Sequence, residues 1–162
     1  VADTAASDEE AVLENKIAEY DAFLTKQDPA FTVEELEEAM QKVMDQYAGG
    51  IGTHYQFNEK QLVMAEEKIK KLQILAKGLA AADMHELMFI YELKERLTVC
   101  LTVIAHLRAR KETRWHSFAE NLDYPEKSDA WLCYVNSKKN GDQITMIRRD
   151  LVKGGETYEH RD

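Results

Sequence analysis

The chain has 162 residues, 44% of them apolar and 31% charged, with only 2 prolines and 2 cysteines; this places it among compact single domains and excludes disordered, collagenous and disulfide-framework classes. Lys and Arg number 21 against 30 Asp and Glu, a net charge of −9, which argues against nucleic acid and anionic membranes as partners. No run of 18 apolar residues and no basic, apolar leader is present, so neither a membrane span nor a secretory signal is expected, and the chain reads as cytoplasmic.

The chain opens at Val1 without an initiator Met, as a processed protein or an excised piece would. Residues 1–38 hold 12 Asp or Glu and 2 Lys or Arg, so nearly all the excess charge lies at this end. It is either a solvated helix face or an acidic arm that docks on a basic partner. After a loose segment 1–7, Ser7 and Glu10 have capping-box spacing, and Leu13, Ile17, Tyr20 and Leu24 recur at helical intervals, which predicts a first helix over 8–26. Pro29 lies beyond its end. Thr32 and Glu35 give the clearest start signal, a capping box opening a second helix through Met40, Val43, Met44 and Tyr47 to Gly49-Gly50. Asn58 with Gln61 opens a third, closed by Gly78, with Leu62, Ala65, Ile69 and Leu72 on one face.

Asp83 and Glu86 open the longest helix, expected over 84–111 and about 40 Å long. Its segment Leu97 to Leu107 is apolar nearly all round, as expected for the centre of a bundle. From Trp131 the period changes to alternation, with Cys133 and Val135 on one side and Leu132 and Tyr134 on the other. Asn140-Gly141 then signals a two-residue hairpin that sets Val135 opposite Met146 and Tyr134 opposite Ile147. The tail over 153–162 is polar and expected to be flexible. The fold class is therefore mainly α: a bundle of three or four helices with a small C-terminal β-hairpin.

Candidate chemistry is sparse. Gly50 and Gly52 fit two positions of a dinucleotide fingerprint, but Tyr55 takes the third and a helix precedes the stretch where a strand is needed, so it reads as cap and turn. The histidines His54, His85, His106, His116 and His160 lie too far apart for a zinc motif; His106 reads as a core residue. Cys100 and Cys133 lack metal-ligand spacing and read as reduced thiols. The densest polar cluster runs from Arg108 to His116. Its cations oppose the helix dipole, and Arg114 and Trp115, with Asp123-Tyr124-Pro125 following, have the composition of an interface hot spot. Internal staple and partner contact are both open.

At this cluster the chain resembles a known family. Arg110, Glu112, Thr113, Arg114, Trp115 and His116, followed by Asp123-Tyr124-Pro125 and Trp131, are similar to the A-R-x-E-S-R-G-x-H and E-D-Y-P-x-R-D-D-x-x-W pattern that closes flavoprotein subunits of the succinate dehydrogenase and fumarate reductase superfamily. Trp115 in place of Gly resembles the adenylylsulfate reductase branch. The resemblance covers roughly residues 34–151 and implies a C-terminal helical domain over 8–152. It also implies FAD in the parent flavoprotein and none in this chain, a flavin-binding domain of the same parent as neighbour, and an iron-sulfur subunit as partner. No catalytic, cofactor-binding or metal residue carries over. The residues it offers for interdomain or partner contact are Arg110, Glu112, Arg114, Trp115, His116, Asp123 and Tyr124. The alternatives are a stand-alone helical adaptor that binds through the acidic first helix, and the same domain from a fumarate reductase or succinate dehydrogenase-like flavoprotein.

Overall fold

The computed structural model describes residues 2–141 and 143–152, without the side chains of residues 2–8. It is mainly α, as expected. In chain order come α1 (Ala2–Leu24), α2 (Val33–Tyr47), the short strand β1 (Gln56–Phe57), α3 (Glu59–Ala76), α4 (Met84–Ala109) and the short strand β2 (Glu120–Asn121). A C-terminal hairpin of β3 (Cys133–Asn140) and β4 (Gln143–Asp150) follows. The expected tail over 153–162 lies outside the described residues.

Local chemistry explains where most helices begin. The Thr32 hydroxyl accepts from the Glu35 N–H at 3.2 Å while the Glu35 carboxylate accepts from the Thr32 N–H at 2.9 Å. Asn58 and Gln61 exchange the same pair of bonds at 2.9 and 3.0 Å. At α4 the Asp83 carboxylate accepts from the N–H groups of His85 and Glu86, both at 2.9 Å, and Glu86 reaches back to the Ala82 N–H. Each arrangement satisfies amide groups that the first helical turn leaves without partners.

Three expectations are corrected. First, α1 starts at Ala2, so Ser7 lies inside the helix and does not cap it; Ala2, Ala5 and Ala6 favour helix strongly enough to extend it backwards. Second, the hairpin pairs Asn140 with Gln143, which sets Val135 opposite Arg148 and Tyr134 opposite Arg149. Gly141, at φ +59°, takes the first loop position, and Asn140 stays in the strand. Third, α4 is not buried all round: Val99 and Val103 are exposed, whereas Ile90, Leu93, Leu97 and Ile104 are buried.

The chain divides into two compact units, Val1–Gln41 with Ile69–Thr98, and Lys42–Lys68 with Val99–Asp162. In the first, Phe23, Leu36, Met40, Ile69, Leu72, Leu87, Ile90, Leu93 and Leu97 form the core. Each fully buried aliphatic side chain contributes about 1.5–3 kcal/mol. Tyr91 meets Tyr20 and Phe23 edge-on at 5.3 and 6.2 Å, and the Ala81 N–H donates to the Phe23 carbonyl at 3.0 Å. Lys94 pairs with Glu19 and Arg96 with Glu37.

In the second unit, Phe57, Leu62, Ala65 and Ile104 are buried. Arg108, in the last turn of α4, donates to Glu59 at 2.7 and 2.9 Å and also pairs with Glu66. The pairing sets cations at one helix C-terminus against a carboxylate in another helix's first turn, so both dipoles favour it. It is half exposed, and its contribution is modest. Strands β1 and β2 pair in parallel, and the N–H groups of Glu120 and Leu122 donate to the Tyr55 and Phe57 carbonyls, both at 2.9 Å.

Candidate functional site

The polar cluster after α4 folds into a knot around one carboxylate. The Arg110 N–H still bonds to the His106 carbonyl at 3.2 Å, but the chain then leaves the helix, two residues before the expected end, and turns Glu112 and Thr113 into the protein. The Glu112 side chain is wholly buried. Its Oε1 accepts from Arg110 Nη1 at 2.6 Å and from Arg114 Nε at 2.9 Å; its Oε2 accepts from Arg114 Nη2 and the Ser128 N–H, both at 2.9 Å. The fork from Arg114 is bidentate, the strongest geometry open to this pair.

Both arginines are committed further. Arg110 donates to the carbonyls of Trp131 and Cys133 at 2.9 and 3.1 Å, and Arg114 to that of Ser128 at 3.2 Å. Burial alone would push the Glu112 carboxyl up, but donation from Arg114, the Ser128 amide and Arg110 outweighs it and holds the group at about 2. The same Glu112 carboxylate raises Arg114 above its ordinary value. Next to this centre, the buried Thr113 hydroxyl donates to the Tyr124 carbonyl at 2.9 Å and accepts from the Asn121 N–H at 2.9 Å. The Thr113 N–H donates to the Glu126 carbonyl at 3.2 Å. Asn121, also buried, accepts the Asp123 N–H at 3.1 Å. The Glu-Thr-Arg triplet thus joins the end of α4, β2 and the segment leading to the hairpin.

The seven contact candidates fall into two groups. Glu112 is buried, and Arg110 and Arg114 are half buried around it. Asp123 is committed to α3, where its carboxylate accepts the Glu59 N–H at 2.7 Å from 64 residues away. Trp115, His116 and Tyr124 face outwards. Trp115 is 68% exposed; the Tyr124 ring has Lys111 above it at 5.3 Å. His116 Nδ1 lies 3.2 Å from a Glu120 oxygen, and the Glu120 carboxyl is lowered by Gln56 and then by His116.

Two contact-type residues escaped the sequence reading. Phe118 and Leu122 are exposed beside Trp115 and Tyr124, and the recurrence of large apolar side chains in an otherwise polar loop is the signal that marks them. The backbone there is fixed: Phe118 and Ala119 both donate to the Trp115 carbonyl at 3.0 Å. Trp115 lines a mostly apolar cavity of about 400 Å³ together with Phe57, Val103, Leu107, Val135 and the half-buried His106.

The glycine stretch does not fit the phosphates of a flavin. Gly49, at φ +76°, closes α2 as a left-handed cap. A Cβ on Gly50 would sit 2.3 Å from the Asp45 Cα, and one on Gly52 2.4 Å from an Asp45 oxygen. The Gly52 N–H donates to that same carboxylate at 2.9 Å, so the loop is closed by its own helix and offers no cradle of free amides. Among the described residues no three His, Cys, Asp or Glu side chains converge as metal ligands, and no helix is long and apolar enough to cross a membrane. Cys100 and Cys133 are free and half buried, and burial raises the Cys100 thiol.

Comparison with known proteins gives a consistent picture. A family model described as the fumarate reductase flavoprotein C-terminal region matches residues 37–156. The alpha subunit of adenylylsulfate reductase from Megalodesulfovibrio gigas is 34% identical over 98 residues, which are 60% of this chain and 15% of that one. The structure of adenylylsulfate reductase from the hyperthermophilic Archaeoglobus fulgidus superposes with a TM-score of 0.83 at 31% identity, over 93% of this chain and 26% of that chain. A structure of adenosine-5-phosphosulfate reductase in complex with sulfite, as a covalent adduct, gives 0.80 at 32% identity with the same coverage. The E. coli quinol fumarate reductase gives 0.73 at 19% identity, a likeness of fold alone. The chain spans about a quarter of the length of these solved relatives.

Proposed function

Because the chain belongs to the family of fumarate reductase flavoprotein C-terminal domains, we propose that it is the C-terminal helical domain of an FAD-dependent oxidoreductase subunit like the alpha subunit of adenylylsulfate reductase. Its role is to brace the flavin-binding domain of the same parent and to form part of the surface met by an iron-sulfur subunit. It holds no reaction centre of its own. The parent reaction is the two-electron reduction of adenylyl sulfate to sulfite and AMP in cytoplasmic sulfur metabolism, and its flavin and substrate-handling residues belong to parts of the parent outside this chain.

The observation that carries the reading is the use to which the family motif is put. Arg110, Glu112 and Arg114 are bonded to one another and to the carbonyls of Ser128, Trp131 and Cys133, a pairing turned inwards that suits a structural staple. The knot fixes a loop that presents Trp115, Phe118, Leu122 and Tyr124 to a neighbour. Aromatic anchors on a preorganised backbone suit protein contact, because little conformational freedom is lost on docking. Identity of 31–34% to adenylylsulfate reductases against 19% to a fumarate reductase supports the former substrate branch. The test is the genomic sequence upstream of the Val1 codon. A continuous reading frame with a glycine-rich dinucleotide fingerprint is expected; a start codon immediately before Val1 would contradict the proposal.

A further inference from the structure

The face that the sequence pattern assigns to α1 is covered over only half its length. Leu13, Ile17, Tyr20 and Leu24 lie on one side of the helix at intervals of three and four residues. At the C-terminal end the stripe is occupied: Tyr20 stacks edge-on against Tyr91, Phe23 beside it is buried, and Lys16 and Lys94 sit over the Tyr91 ring at 4.8 and 4.4 Å. Towards the N-terminus it is bare. Every residue from Glu9 to Ala18 is exposed, Leu13 at 61% and Ile17 at 50%, with Val12 beside them.

The charge around the bare stripe selects its occupant. Helical geometry sets Glu10 and Glu14 along one border of Leu13 and Ile17 and Glu9 along the other, and the only cation of this stretch, Lys16, is paired with Glu19 at 2.7 Å. A second copy of the chain would bring the same carboxylates together. An anionic membrane would repel them, since helices that lie on such surfaces carry Lys and Arg beside their apolar face. This half of α1 belongs to a different compact unit from the Trp115 loop proposed above for contact, so the two surfaces can be tested separately. We infer that the N-terminal half of α1 is a docking surface for a basic amphipathic helix of a partner protein, which would cover Leu13 and Ile17 with apolar side chains and set Lys or Arg against Glu9, Glu10 and Glu14.

The probe is a fluorescein-labelled 18-residue peptide of Leu and Lys patterned as an amphipathic helix, titrated with the full 162-residue chain and followed by anisotropy. Saturable binding is expected. Leu13→Ala with Ile17→Ala should weaken it about tenfold or more, given the apolar area each side chain would lose. Glu10→Gln with Glu14→Gln should weaken it several-fold and flatten its dependence on salt. Glu95→Gln, an exposed carboxylate on α4, should leave it unchanged, and helix content by circular dichroism should be the same in all variants. Three results would overturn the inference: no saturable binding, equal weakening by Glu95→Gln, or a self-associated chain that dissociates on replacement of Leu13 and Ile17.

Discussion

Replacing Glu112 by Gln keeps the shape of the side chain at the centre of the knot and removes its charge. The wild-type carboxylate accepts four hydrogen bonds at 2.6–2.9 Å, three of them from Arg110 and Arg114. An amide there must turn an NH2 group towards one of these donors and leave two half-buried guanidinium groups without a counter-charge. Breaking such a pair costs about 3–5 kcal/mol. The depression of the carboxyl to about 2 from an ordinary 4.5, which these same bonds cause, corresponds to about 3 kcal/mol, and a domain of this size would lose about 6–12 °C in Tm. The pH dependence has a definite sign. The folded carboxyl lies below its unfolded value, so its stabilisation is fully present above about pH 4.5 and is lost as pH falls towards 2, with about 1.4 kcal/mol gone by pH 3.5. Glu19, also held near 2 by Lys16 and Lys94, titrates in both proteins and cancels in the difference. Urea unfolding of the two proteins at pH 7 and pH 3.5 reads both quantities. A deficit under 1 kcal/mol at pH 7, or one that does not narrow at pH 3.5, would refute the reasoning.

Thr113→Val should lose about 2 kcal/mol in urea unfolding, because it strands the buried Asn121 N–H and Tyr124 carbonyl, whereas Thr113→Ser, the residue of the family pattern, should stay within about 1 kcal/mol. Gly50→Ala should cost about 3 kcal/mol, since the added Cβ meets backbone at 2.3 Å and no side-chain rotation relieves it; a thermal melt within 2 °C of wild type would contradict this. Trp115→Ala should change stability by less than about 0.5 kcal/mol, as expected for an exposed side chain, so any effect it has on assembly with a flavin-binding domain can be read as lost contact.

What could be seen in the sequence was what is local. The Thr32–Glu35, Asn58–Gln61 and Asp83–Glu86 pairs span three residues each, and the structure realises all three caps. Gly49 and Gly78 end their helices for a reason contained in one dihedral or one turn. The Asn-Gly signal located the hairpin and missed its pairing, because either residue tolerates the loop conformation and only the paired strands decide which one enters it. The family motif was visible as a string of residue types, but its internal use was not. Asp123 caps a helix 64 positions away, and Thr113 and Asn121 are buried by partners that no periodicity announces. The apolar run of α4 misled in the opposite direction: residues 97–107 are apolar nearly all round, yet Val99 and Val103 remain exposed, as does the bare half of the α1 stripe.

The proposal that this chain braces chemistry housed elsewhere is tested most directly by titrating the purified 162-residue polypeptide with FAD and adenylyl sulfate while its visible absorption and sulfite release are recorded. Neither stoichiometric flavin binding nor sulfite is the predicted result. A one-to-one flavin complex, or sulfite formed with a supplied reductant, would contradict the account.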